Sequence, residues 1–345
     1  MKNITRILTL TVAISLGMFS IINAQSNKAV DHMQEVNTPF VEMKTEIWQY
    51  LKAITTGKSA RKVEKKRKKL LDQLRSAAKT MRSMKGFEGD VTLKESAMKY
   101  LDLSSTVLNE EYSKILDMEA ISEQSYDNME AYLLAKEKAS EKLEAANGVF
   151  QDSYEAFASK NNVTIQDAKE DELTKKIRNA NEALKYYNNV YLLFFKVYKQ
   201  EMYVLDALGR NDVSGLQQNI NSFKNFSKEG LVRLDTISAF KGSNALIVAA
   251  KYIIKFYKAE ADKDFPKMVE FYLDQDKMNK MQKDMEGMRD SERTQEFVDR
   301  YNKASQSFNE AVAKFNQDNN NLNNKRAEYL NKWNMAVSKF FERHN

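Results

Sequence analysis

Apolar residues recur at three- and four-residue spacing along most of the chain, as in Val30, Met33, Val36, Phe40, Met43, Ile47, Leu51 and Ile54. That is the period of one helical face, and no sustained stretch alternates with the period of two that a half-buried strand requires. Ten glycines and two prolines in 345 residues are well below the usual shares of about 7% and 5%, so the elements are few and long. Breaks fall at Gly57, at Gly86 to Asp90, near Ser122, at Lys160 to Asp171, at Gly209 to Asp212, at Lys241 to Ser243 and between Leu273 and Asp290. The pattern predicts an all-α chain of about eight long helices. Thr92 and Glu95 have the spacing of a capping box, and Ser243 is placed to cap the helix that follows it. Pro39 lies in a continuous apolar stripe, where it either starts or kinks a helix.

The two sides of Asn161-Asn162 resemble each other. FEGDVTLKESAMKYL from Phe87 matches FKGSNALIVAAKYII from Phe240 in the Phe-x-Gly turn, in Leu93 with Leu246 and, after a one-residue slip, in Lys99-Tyr100 with Lys251-Tyr252. Lys138-Ala139-Ser140 recurs as Lys303-Ala304-Ser305, and Leu51-x-Ala53 as Leu205-x-Ala207. Three matches in one order predict a tandem duplication of two antiparallel four-helix units. Residues 25–160 form the first unit, 161–172 a linker and 173–345 the second, which is the longer by about a dozen residues between Tyr252 and Phe297. The last helix carries a heptad seam at Tyr301, Phe308, Phe315, Leu322, Tyr329 and Ala336, a coiled-coil pattern that predicts helix straight through the asparagine-rich NQDNNNLNNKR stretch.

Charge changes the picture at one place. The chain is formally +6, yet Lys58, Arg61, Lys62, Lys65, Lys66, Arg67, Lys68 and Lys69 stand within twelve residues against Glu64 alone, so the basicity is one patch. The stretch TTGKSARKVEKKRKK raises two chemistries. A phosphate-binding loop of the GxxxxGK[ST] type needs a glycine at position 52 and a strand leading in, whereas Lys52 stands there on a helical approach; Gly57 is then a helix stop and Ser59 the next start. A nucleic-acid surface needs aromatic residues to stack bases, and none interleave here. What remains is a solvated helix face or a docking site for anionic material such as lipid headgroups or acidic glycans, attraction that salt weakens.

Other chemistries find little support. His32 and His344 are the two histidines and lie far apart in sequence, and there is no cysteine. Neither a Glu-x-x-His metal pattern nor a Cys-His or Ser-His-Asp arrangement is recognisable, although acid pairs assembled by folding leave no such spacing. The expectation is a non-enzyme without a cofactor or metal site. Met278, Met281, Met285 and Met288 share one helical face, which reads as core packing, with a partner-binding face or a Cu(I) site as the sharper alternatives. The apolar stretch Ala245 to Ile254 is interrupted by Lys251 and is half the length of a membrane span. It predicts a buried helix.

The first 24 residues, with Lys2 and Arg6 ahead of the apolar run Ile7 to Ile22 and small residues at Ala24, have the layout of a secretory signal. Cleavage is expected before Gln25, leaving a mature chain without a transmembrane helix, exported to the periplasm, the outer surface or the medium. A signal ending in Ala-Gln, no cysteine, long amphipathic helices and the turns Phe87 to Gly89 and Phe240 to Gly242 resemble a family of bacterial exported surface proteins of unassigned function. The resemblance implies a location and no catalytic residues. The expected function is a helical scaffold or binding protein of the bacterial envelope, its partner a protein or an anionic envelope component and not nucleic acid. The alternatives are a membrane-active helical protein and a Met-rich Cu(I)-binding protein.

Overall fold

The computed structural model describes residues 19–21, 28–111, 122–167 and 170–344. Among them the chain forms eight helical rods. These are α1 (Lys28–Thr55), α2 (Ala60–Ser83), α3 (Thr92–Thr106) with a π turn at Val107–Glu111, α4 (Tyr126–Lys160), α5 (Glu172–Gly209), α6 (Val213–Asp235), α7 (Ala245–Ala259) running through a π turn at Glu260–Asp264 into α8 (Phe265–Gly287), and α9 (Gln295–His344). The expected all-α architecture is present, and α9 is continuous through the asparagines, with Leu322 buried and most of its asparagine neighbours exposed. Pro39 lies inside α1 and does not end it.

One short ribbon stands beside the helices. β1 (Phe19–Ile21) pairs antiparallel with β2 (Ile165–Asp167), Ser20 opposite Gln166. Three residues are too few to leave an alternating signature in sequence, and the ribbon places a paired segment within the stretch 161–172 that reads as a linker. The rest of the expected signal segment lies outside the described residues.

Helix ends explain the breaks. At Gly57, φ is +61°; its N–H donates to the Ile54 carbonyl and that of Lys58 to Ala53, both at 3.0 Å. This is a Schellman cap, which needs a residue in the left-handed region, so the Gly57-Lys58-Ser59 triplet terminates a helix and forms no phosphate loop. Asn211, at φ +55°, repeats the same cap, with Asp212 N–H on Ala207 and Asn211 N–H on Leu208. Thr92 does not form the expected capping box: it is already helical, and its N–H donates to Asp90 Oδ1 at 2.9 Å. Asp90 wins because the preceding turn aims its carboxylate at the helix start. Ser243 holds the corresponding place, receiving the Ala245 N–H at 3.5 Å.

The Phe-x-Gly turns are the same structure twice. Phe87 and Asp90 exchange backbone hydrogen bonds, as do Phe240 and Ser243. The central pairs Glu88-Gly89 and Lys241-Gly242 all have positive φ, the geometry of a tight turn that favours glycine. Element boundaries recur with them: Ala60 and Val213, Thr92 and Ala245, and the π turns beginning at Val107 and Glu260 are each 153 positions apart.

Packing divides the chain into two compact units, Met1–Asn189 with Val337–Asn345, and Val190–Ala336. The division falls inside α5 and α9 and not at the 161–172 stretch, because those helices of 38 and 50 residues run to roughly 57 and 75 Å, longer than one bundle needs. In the first unit the core joins α1 to α4 through Phe40, stacked on Phe150 at 4.9 Å and on Tyr100 at 5.9 Å. His32 packs among Phe87 and Phe157 under the first turn, and burial pushes its pKa down. In the second unit Phe194 stacks on Trp333 at 4.7 Å, Phe256 on Tyr329 at 4.3 Å and Phe271 on Phe315 at 4.2 Å. The heptad positions Tyr301, Phe308, Phe315, Leu322, Tyr329 and Ala336 of α9 are half-buried or buried throughout, and Trp333, Val337, Phe340 and Phe341 are buried. Leu246, Ile247, Ala250, Ile253 and Ile254 of α7 are buried as the sequence predicts. Among the described residues no helix is long and apolar enough to cross a membrane.

Candidate functional site

α2 carries ten basic side chains and two acidic ones. Its apolar positions Val63, Leu70, Leu71, Leu74, Ala77, Ala78 and Met81 are all buried, which fixes the rotation of the helix and turns the remaining positions outward. Arg61, Lys65, Lys68, Arg75, Lys79 and Arg82 follow one another at four-, three- and seven-residue steps on that outer face, with Asp72 in the one gap, and all are exposed. Lys62 and Lys69 flank the row, and Lys58 precedes it in the connection from α1. Among the described residues no carboxylate lies within ion-pair distance of Lys58, Arg61, Lys62, Lys65, Lys66 or Lys79.

Folding removes two members of the patch from that face. Arg67 is buried: its Nε and Nη2 hold the two Glu64 oxygens at 2.8 Å, and Nη1 donates to the Leu108 carbonyl at 2.8 Å. Leu108 lies in the π turn Val107–Glu111. The guanidinium ties α2 to that turn, and its hydrogen bond holds the Glu64 carboxyl below its usual pKa. Lys69 reaches Glu46 of α1 at 2.6 Å, Lys68 lies 3.7 Å from Glu64 and Lys66 is half-buried. A run that reads as eight equivalent cations is therefore a structural arginine, a paired lysine and an exposed ridge. The spacing contains that information, since Arg67 falls four after Val63 and three before Leu70, on the apolar stripe.

Beside the ridge, α1 and α2 border a groove of about 280 Å³ lined by Glu35, Thr38, Pro39, Glu42, Gln73, Ser76, Ala77 and Thr80. Glu35 and Glu42 make that groove acidic.

Met278, Met281, Met285 and Met288 are each half-buried, and most residues between them are exposed. α8 and α9 are joined through a short 3-10 turn at Asp290–Glu292, and Phe271 of α8 meets Phe308 and Phe315 of α9. The methionines continue the face that Phe271 starts, and Tyr301, Ala304 and Ala311 of α9 are half-buried like them. Half-burial on both faces is what a seam between two helices gives when no third helix covers it. Ten residues separate Met278 from Met288, roughly 15 Å along the axis, so four thioethers cannot meet at one ion. Replacing all four with leucine is expected to leave Cu(I) titration of the protein unchanged; a stoichiometric loss of bound copper would restore the metal reading. Among the described residues no group of three or more His, Cys, Asp or Glu side chains is placed to hold a metal ion.

A third cluster matches no motif spacing in the sequence, although its charged residues fall on apolar helix stripes. In the Val190–Ala336 unit, Arg326 of α9 places Nε 2.7 Å from Glu201 Oε1 of α5 and Nη2 2.7 Å from Glu260 Oε1 in the second π turn. Both glutamates are fully buried and Arg326 nearly so. Arg326 also donates to Asn323 at 2.9 Å and lies over the Phe265 ring. Glu201 Oε2, both Glu260 oxygens and Arg326 Nη2 make no hydrogen bond of good geometry among the described residues, so the contact of Arg326 with Glu260 is an ion pair alone. The two carboxyls stand beside each other and the Tyr257 side chain borders them. One proton on the pair supplies the missing donor and leaves one negative charge against one positive one. Burial, and then the Glu201 charge, push the Glu260 carboxyl up to about 10. Burial also raises Glu201, against the pull of Arg326. The cluster is closed to solvent and ties α5, α9 and the second π turn together within the Val190–Ala336 unit.

Compared with protein-family models, with curated proteins and with solved structures, the chain matches none.

Proposed function

We propose that this protein is an exported, non-enzymatic helical scaffold of the bacterial envelope, built by duplication, which docks on anionic surface material through the outer face of α2. The observation that carries the reading is the row Arg61, Lys65, Lys68, Lys79 with Lys62 beside it: exposed, on one rigid helix and, apart from the 3.7 Å approach of Glu64 to Lys68, without a carboxylate neighbour among the described residues. Charged side chains held apart from counter-charges on a fixed element retain their attraction for a partner, whereas the ion pairs elsewhere on the surface are largely self-compensated. The recurrence of helix starts, Phe-x-Gly turns and π turns at an offset of 153 supports the duplication.

The test is co-sedimentation of the purified protein with isolated bacterial envelopes at low and high salt, beside a variant carrying Arg61→Gln, Lys62→Gln, Lys65→Gln and Lys68→Gln. Arg67 and Lys69 stay in place, because Arg67 supports the fold and Lys69 pairs with Glu46. The protein is expected to pellet at low salt and to be released at high salt, and the variant to stay in the supernatant throughout. Equal sedimentation of both would end the reading.

A further inference from the structure

We infer that the anionic partner of α2 is a linear polyanion, an extended chain bearing phosphate or sulfate groups, and not the headgroup layer of a membrane. The inference rests on the docking reading above and narrows it. Three observations carry it.

The first is the shape of the charge. From Arg61 to Arg82 the exposed cations form one row along one helix, roughly 31 Å long at 1.5 Å per residue. Successive members three or four residues apart stand about 4.5–6 Å apart along the axis. A flexible polyanion can lie along such a ridge and meet one charge after another, whereas a flat headgroup layer calls for charges spread over an area. Arg82 is the row's weak end, since it pairs with Asp102, and Arg75 approaches Asp72 at 4.0 Å.

The second is what surrounds the row. Helices that lie in a lipid interface bury large apolar side chains beside their cations. Among the described residues, the large apolar side chains that are exposed are Val41, Val91, Leu134, Val149, Tyr203, Val232, Val248, Tyr252, Leu273 and Met335, and none of them is on α2. Docking there has only charge to offer. On the α1 side the stretch of the ridge around Arg75 and Lys79 is bordered by the groove with Glu35 and Glu42, whose charges repel an anionic sheet pressed over both helices there.

The third is the choice of cation. The exposed cations of α2 that have no carboxylate within ion-pair distance among the described residues, Arg61, Lys62, Lys65 and Lys79, are lysines in three cases of four, compact point charges on flexible stems that do not demand the bidentate geometry an arginine fork imposes on a single phosphate. Such a row tolerates a polymer in many registers.

The experiment measures fluorescence anisotropy of labelled inorganic polyphosphate and of labelled heparin against the purified protein over a salt series. Sedimentation with vesicles of equal parts phosphatidylglycerol and phosphatidylcholine is run in parallel. Two variants carry equal charge removal: Arg61→Gln, Lys65→Gln, Lys68→Gln and Lys79→Gln on the row, and Lys52→Gln, Lys138→Gln, Lys175→Gln and Lys176→Gln at exposed positions off it. Each phosphate neutralised contributes about 0.7 to the slope of log affinity against log salt for a single chain. The row variant is therefore expected to lose at least tenfold in affinity for polyphosphate, with the slope shallower by about 3, and the off-row variant to change by less than about threefold. Vesicle binding should be weaker and indifferent to which set is removed. If vesicles bind through the row and neither polymer does, the polymer assignment is overturned while docking on an anionic surface stands. If the row and off-row variants lose polymer affinity equally, the row is no site and net charge alone is being read. If polymers, vesicles and envelopes all fail to bind, the docking reading falls with it.

Discussion

Replacing Arg326 with methionine is expected to destabilise the Val190–Ala336 unit by about 3–5 kcal/mol at neutral pH, the range for removing one partner from a buried charged pair. The volume lost is small and the side chain remains flexible, so packing is not the main term. What is lost is the cation that meets two fully buried glutamates. Without it, the proton that the pair already holds is not enough, and a second must be taken up from water at a pH where free carboxyls are ionised, or a charge must stay buried without compensation. Trp333 reports on this unit directly, being 2% exposed and stacked on Phe194, and a Trp48→Phe background removes the other indole. Urea unfolding followed at Trp333 should show the midpoint falling sharply. The triple variant with Glu201→Leu and Glu260→Met added should recover most of the loss, since a well-packed apolar replacement for a buried ionic group is often neutral or better. A cost below 1 kcal/mol for Arg326→Met would mean that the glutamates are not held in the buried arrangement described.

The same cluster shows how far a sequence can be read. Helix positions and most stops are legible, because periodicity and a few glycines and asparagines with positive φ carry that information locally. Gly57, Asn211 and the Phe-x-Gly turns are where the spacing places breaks. The capping of α3 is not, because Thr92 and Glu95 fit a pattern while the carboxylate that receives the amide, Asp90, belongs to the turn. The patch on α2 is legible as charge and in part as geometry: Arg67, unlike Lys66, falls on the apolar stripe between Val63 and Leu70, but the Leu108 carbonyl that it meets lies 41 residues away and no local pattern points to it. The buried glutamates do leave a partial signal. Glu260 stands three residues after Tyr257 on the stripe Leu246, Ala250, Ile253, Tyr257, and Arg326 stands seven before Trp333. A charged residue on a core period predicts a buried partner, but which helix supplies it depends on packing between segments 59 and 66 residues apart in sequence, and no local pattern specifies that. The unit boundary inside α5 and α9 escapes for a related reason, since a helix that serves two cores has no break to mark the change.

The Val190–Ala336 unit is expected to lose stability steadily as pH rises across neutrality, the reverse of the behaviour of most paired carboxylates. Glu260 has its carboxyl raised from 4.5 to about 10, burial being the largest cause, then the Glu201 charge, with Arg326 opposing them and Asp264 adding a small push in the same direction. A carboxyl raised on folding binds its proton more tightly in the native state than in the unfolded chain. Its contribution is therefore full below about 4.5, where both states are protonated, and disappears as pH climbs through the folded value. Each tenfold difference in proton affinity between the folded and unfolded chain corresponds to about 1.4 kcal/mol, so the loss between pH 5 and 9 amounts to several kcal/mol if one proton is retained throughout. Tyr257 does not offset this within the window, because burial and the two glutamate charges keep its hydroxyl protonated well above 10. Glu260→Gln supplies permanently the donor that the protonated acid supplies, in nearly the same shape. Urea midpoints read at Trp333 across pH 5 to 9 should fall for the native protein and stay nearly flat for the variant, the two curves converging at the acid end. Parallel curves would place the pH dependence elsewhere and mean that Glu260 is ionised against Arg326 across the range. The requirement for a neutral cluster then explains why an acid stands on a core stripe at all: held with one proton, Glu201 and Glu260 accept a single guanidinium without residual charge and join α5, α9 and the second π turn, a junction that apolar contacts alone would leave free to slip in register.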